Sequence, residues 1–158
     1  MAPLPSSIYS APVPTALYNR DILRLAGSIP HLGRLDRPQG TSEKRSPVCG
    51  SRVAVDVELD GEGRVSRLGQ EVKACALGQA SASLLGAHAA GRTPRELASA
   101  RDALAAYLVG RRDDPGDWPG LDLFADARPF AARHPSILLA FEAAAEAAAL
   151  AAARADAA

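Results

Sequence analysis

Apolar and polar residues alternate through Val53, Val55, Val57 and Leu59, with Ala54, Asp56 and Glu58 between them. That period of two predicts a strand with one buried face. Asp60-Gly61-Glu62-Gly63 supplies hairpin residues, so 64–68 reads as the returning strand, and a third extended piece, 70–73, leads to Cys75. Elsewhere the apolar spacing changes to three and four. Leu17, Tyr18, Ile22, Leu23 and Leu25 form one stripe of a first helix, capped by Thr15 and ended by Gly27 and Pro30. Residues 77–90 form a proline-free, Ala/Leu-rich helix stopped by Gly91. Thr93-Pro94-Arg95-Glu96 is a capping box with proline at the first helical position, opening a helix over Leu97, Leu104, Tyr107 and Leu108. Residues 121–133 hold a further helical turn. Ser136 is read as the cap of a last helix whose Ile137, Leu138, Phe141 and Ala145 face inward.

The remaining segments read as connections. Residues 1–14 are a loose Pro/Ser-rich arm. Residues 31–47, with Gly33, Pro38, Gly40, Thr41 and Ser42, are a looped passage with little burial, and 111–120 is a loop. Strands first and helices after predict an α+β fold: a small antiparallel sheet of about three strands with helices packed on one face. Residues 15–150 are expected to form a single domain, and the Ala-rich tail at 151–158 to fray.

Length and composition narrow the function. A chain of 158 residues is long enough for one core without staples. Eighteen basic and eighteen acidic residues cancel, so the positive field that favours nucleic acid or an anionic membrane is missing. Glu142, Glu146, Arg154 and Asp156 interrupt the Ala-rich C-terminal stretch, which does not read as a membrane span. The proline-rich start lacks the basic and apolar regions of a secretory signal, so a cytoplasmic, reducing location is expected. In that setting two thiols point to reactivity or metal binding before a disulfide.

Those thiols sit in two distinctive strings, Ser46-Pro47-Val48-Cys49-Gly50-Ser51-Arg52 and Lys73-Ala74-Cys75-Ala76-Leu77-Gly78-Gln79-Ala80-Ser81-Ala82-Ser83. The first precedes a strand and the second opens a helix, so both sulfurs belong at one end of the sheet. Lys73 and Arg52 stand close in sequence as positive charges that would favour thiolate, and a helix start adds its dipole. Zinc or ferrous iron normally takes four ligands. Cys49 and Cys75 supply half a shell, His134 is the candidate third ligand, and Ser51 and Ser136 suit hydrogen bonding to sulfur better than ligation. His31 and His88 read as surface or packing residues, and Trp118 as a plug between the 111–120 loop and the helices.

With Gly33-x-Leu35 and Pro38-x-Gly40, these strings resemble the iron–sulfur cluster assembly scaffolds of the IscU, SufU and NifU N-terminal type, from about Tyr18 to about Leu150. The segment 91–130, between the second cysteine and the last helix, resembles the insertion of the SufU branch. The resemblance implies a small α+β scaffold that accepts sulfur from a SufS-like cysteine desulfurase. Such a scaffold builds a transient iron–sulfur cluster, or holds iron or zinc, and passes it to apo acceptor proteins or carriers. It implies three cysteines and an aspartate as ligands. Cys49 and Cys75 match two of the cysteines, whereas Ser51 stands at the aspartate position and Ser136 at that of the third cysteine. The leading expectation is therefore a scaffold or sulfur acceptor. The alternatives are a degenerate relative that binds or regulates a desulfurase without a cluster, and a persulfide-transferring component. A homodimer could complete a four-thiolate set with two cysteines from each chain.

Overall fold

The structure, a computed structural model, describes residues 18–157. Thr15, Leu17 and the 1–14 arm lie outside the described residues. Strand β2, Arg52–Leu59, is central between β1, Gly40–Arg45, and β3, Val65–Lys73, and both pairings are antiparallel. Val53, Val55 and Val57 are fully buried, as the alternation predicts, but Ala54 and Asp56 on the opposite face are buried as well, so β2 is covered on both faces and not one.

Two strand expectations change. The residues read as two extended pieces, 64–68 and 70–73, form the single strand β3. Gly69 sits at its centre because the Gly33 carbonyl presses on it: a β-carbon there would lie 2.5 Å from that oxygen. The third strand is instead β1, within the segment read as a loop. Its sequence, Gly-Thr-Ser-Glu-Lys-Arg, carries no apolar alternation, because its inward positions have almost no volume to fill. The last helix lies directly on it. A β-carbon on Gly40 would come within 1.9 Å of the Ala147 carbonyl oxygen, while Ser42 and Lys44, on the same face, both bind Glu146.

Among the described residues, four α-helices complete the fold. Helix α1 is Arg20–Ala26, and its cap is Asn19, whose Oδ1 accepts from the Ile22 amide at 3.0 Å. Helix α2, Ala76–His88, has Cys75 as its N-cap. Helix α3, Pro94–Leu108, has the full capping box, with Glu96 N–H donating to Thr93 Oγ1 at 3.1 Å and Thr93 N–H to Glu96 Oε1 at 3.0 Å. Two 3₁₀ turns, Leu121–Ala127 and Ala131–Arg133, lead to helix α4, His134–Ala157. Ser136 therefore lies inside the first turn of α4 and is not its cap. Helix α4 continues to Ala157, and Ala151 is its last fully buried side chain.

Alanine gives α4 its place. Ala143, Ala144, Ala147, Ala148 and Ala151 are all inaccessible to solvent, a smooth stripe that lets the helix backbone approach β1 and β2 closely. The segment Ala131–Ala157 is long and apolar enough to cross a bilayer, but 61% of its apolar window is buried inside the protein. Trp118 is buried, donates Nε1–H to the Leu84 carbonyl at 2.9 Å and stands edge-on to Phe141, closing the 111–120 loop onto α2 and α4.

Residues 31–38 form a strap. Gly33 N–H donates to the Gln70 carbonyl at 2.8 Å and Gln70 N–H to the His31 carbonyl at 3.0 Å, which covers the free edge of β3. The strap then crosses the sheet face opposite α4, where it meets Asp56. That carboxylate accepts from Arg34 Nε at 2.8 Å, Arg34 Nη2 at 2.9 Å, the Leu35 amide at 2.9 Å and Thr41 Oγ1 at 2.8 Å. Burial pushes the Asp56 pKa up, yet these donors outweigh it and hold the carboxyl below its usual range.

Candidate functional site

The turn between β1 and β2 carries Cys49. Ser46 N–H donates to the Ser51 carbonyl at 2.8 Å and Gly50 N–H to the Ser46 carbonyl at 3.2 Å, closing a tight loop at the end of the hairpin. Gly50 has φ of 74°, a left-handed conformation that glycine adopts without steric cost. The Ser46 hydroxyl accepts from the Val48 and Cys49 amides at 3.3 and 3.4 Å. The turn is thereby fixed, with Val48 and Cys49 exposed at its tip.

Two hydroxyls converge on this sulfur. Cys49 Sγ lies 2.9 Å from Ser136 Oγ and 3.0 Å from Ser51 Oγ, although both serines are buried. A thiol has one proton to give, whereas a thiolate accepts from both hydroxyls at once, so the arrangement favours the anion. Hydrogen bonds from Ser136, the larger contribution, and Ser51 bring the Cys49 pKa down from the ordinary 9.0 to about 6. At neutral pH the sulfur is therefore mostly thiolate. The cause differs from the sequence expectation, because Arg52 spends its guanidinium on Glu43 at 3.0 Å and Lys73 is exposed. Neutral hydroxyls take the place of those cations.

Ser136 reaches Cys49 because the first turns of α2 and α4 touch. A β-carbon on Gly78 would lie 3.1 Å from the Ser136 carbonyl oxygen, and Ser81 Oγ donates to the Ile137 carbonyl. Cys75, half-buried and without a side-chain capping bond, belongs to that same turn of α2. Cys49, Ser51 and Ser136 are thus in direct contact, and Cys75 stands at the same end of the sheet, where Arg52 pairs with both Arg45 and Lys73.

His134 is engaged elsewhere. Its ring is buried, and Nε2 lies 3.1 Å from the Ala127 carbonyl and 3.0 Å from the Arg128 carbonyl. Both are acceptors only, so Nε2 carries the proton and ties the end of the first 3₁₀ turn to the start of α4. Among the described residues no group of three or more His, Cys, Asp or Glu side chains is placed to hold a metal ion. The donors present, two thiols with hydroxyls bonded to one of them, do not fit a four-ligand zinc or iron site. Ser46 is the residue that sequence reasoning missed. Its signal is the Ser-Pro pair that opens the cysteine turn.

No protein-family model matches the chain, and no curated protein matches it. Solved structures do. A nitrogen-fixing NifU-like protein (N-terminal) from Brucella abortus is 35% identical, with a TM-score of 0.83, covering 89% of this chain and 98% of that one. A putative iron–sulfur cluster assembly scaffold protein for the SUF system from Fervidobacterium islandicum is 20% identical, with a TM-score of 0.77 over 84% of this chain and 96% of that one. A hypothetical protein matches at 22% identity and a TM-score of 0.75, over 84% of this chain and 97% of that one. The last two show the fold alone. With the identity to the NifU-like protein spanning nearly all of that chain, this protein belongs to the IscU/SufU/NifU N-terminal scaffold family.

Proposed function

We propose that this protein serves iron–sulfur cluster assembly as a sulfur acceptor, with Cys49 the atom that receives sulfur from a cysteine desulfurase. The observation that carries this reading is an exposed sulfur bonded to two buried hydroxyls and poised as a thiolate near pH 7. Sulfur transfer needs one accessible thiolate and no metal. The Cys49 thiolate attacks the outer sulfur of the donor's Cys–S–SH. A new S–S bond forms at Cys49, the donor's S–S bond breaks, and the donor leaves as its own thiolate. The proton stays on the transferred sulfur and no outside oxidant is consumed. Cys75, at the same end of the sheet, is the second thiol to which the sulfur could pass onward.

The family likeness favours a second reading, in which Cys49 and Cys75 also hold a nascent cluster, the four thiolates coming from two chains. One preparation separates the two. The protein is incubated anaerobically with a SUF-type desulfurase and free cysteine, and each cysteine is examined by mass spectrometry. A gain of one sulfur at Cys49, lost in Cys49→Ser and kept in Cys75→Ser, is the expected result. Sulfur on Cys75 alone, or none, contradicts it. Adding iron and recording the visible spectrum then tests the second reading: cluster bands that vanish in both variants support it, and a colourless protein removes it.

A further inference from the structure

We infer that Ser51 and Ser136 form a hydroxyl cradle that replaces a metal ion at Cys49, so that the sulfur is held ready for a persulfide donor while the protein stays free of bound zinc or iron. The inference deepens the sulfur-acceptor reading and rests on it for the identity of the cargo. Its geometric basis is independent of that reading. Around a tetrahedral zinc with Zn–S and Zn–O bonds of about 2.3 and 2.0 Å, sulfur and oxygen ligands stand about 3.5 Å apart. Ser136 Oγ and Ser51 Oγ lie only 2.9 and 3.0 Å from Cys49 Sγ. That is hydrogen-bond contact, too close for atoms that share one metal ion.

The other donors point the same way. Neutral serine hydroxyls are weak ligands beside thiolate and imidazole, and the His134 Nε2 that could ligate is bonded to two main-chain carbonyls. Ser51 and Ser136 are both buried, so their hydroxyls have little water to turn to and remain directed at the sulfur. A thiolate bound to zinc is a poor nucleophile because its electron pair is shared with the metal. A thiolate held by hydroxyl donors keeps lone pairs free. The cradle thus gives this chain an acceptor sulfur that loads without first releasing a metal.

Zinc competition tests the inference without reference to activity. The reduced, metal-free protein is titrated with zinc against a chromophoric chelator, first as the wild type and then with Ser51→Asp and Ser136→Cys combined. The expected result is no stoichiometric zinc uptake by the wild type and stoichiometric uptake by the double variant. Zinc held by the wild type, whether one ion per chain or one per two chains, would overturn the inference. So would a folded double variant that takes none, since the serines would then not be what excludes the metal. Should the double variant fail to fold, Ser136→Cys alone, which places a third sulfur at Cys49, is titrated with the same two outcomes. Persulfide loading in the presence of chelator is the separate readout: unchanged loading is expected, and loss of loading with zinc uptake still absent would count against the sulfur-acceptor reading alone.

Discussion

Two anions are built into this small sheet, and their surroundings send them to different ends. Asp56 lies at the centre of β2, fully buried, and is held by a guanidinium, an amide and a hydroxyl that all belong to the strap or to β1. Cys49 lies at the tip of the adjoining hairpin, exposed, and is held by hydroxyls from its own turn and from α4. In both places converging donors lower a pKa. At Asp56 the donors surround the anion and exclude any other partner, so the pair serves architecture. At Cys49 the donors approach from the protein side only, so the charge is stabilised and still open to attack an incoming sulfur. Convergent donors make an anion, and its exposure decides whether the anion reacts.

The largest effect that would break this contrast is at Cys49 itself. Cys49→Ser should lose persulfide loading altogether while leaving the melting curve of the wild type nearly unchanged, as expected for an exposed turn residue. A large loss of stability would mean that the sulfur is structural. Next is Asp56→Asn, which leaves buried donors poorly matched and should cost about 1–3 kcal/mol in denaturant unfolding. Sulfur loading per folded molecule should stay the same. The sign of its pH dependence is fixed by the lowered pKa of Asp56: its contribution is complete above the ordinary value of 3.8 and is lost as pH falls through the lower native value. Acid unfolding should therefore begin at higher pH in Asp56→Asn than in the wild type.

Ser136→Ala should have the smallest effect. With one of the two hydroxyls at the sulfur removed, the pH at which Cys49 becomes half-alkylatable should rise by roughly one pH unit. At pH 7 the rate would fall only about twofold, and below pH 6 it would fall more. An unchanged profile would show that Ser136 merely packs against the sulfur.

How much of this was legible depended on whether the cause was local. The hairpin at 60–63, the capping box at Thr93 and the helix stop at Gly91 are set by residues a few positions apart, and all could be read directly. Strand β1 could not, because Gly40 and Ser42 are small for the sake of α4, a helix that begins some ninety residues later. The alanine-rich stretch reads as the body of the last helix with only 151–158 fraying, and nothing in the sequence states that its backbone at Ala147 and Ala151 lies against β1. At the site, both cysteines stand out from their strings, and Ser51 and Ser136 are marked by the positions that the family resemblance assigns to ligands. The charge logic pointed to Arg52 and Lys73, and only the fold reveals that Arg52 is committed to Glu43 while buried hydroxyls face the sulfur.

The most direct measurement is the alkylation rate of Cys49 against pH, taken in Cys75→Ser so that one thiol reports. The hydroxyl cradle predicts a midpoint of about 6. A midpoint near the ordinary 9.0 would mean that the serines do not hold an anion and would contradict the account at its centre.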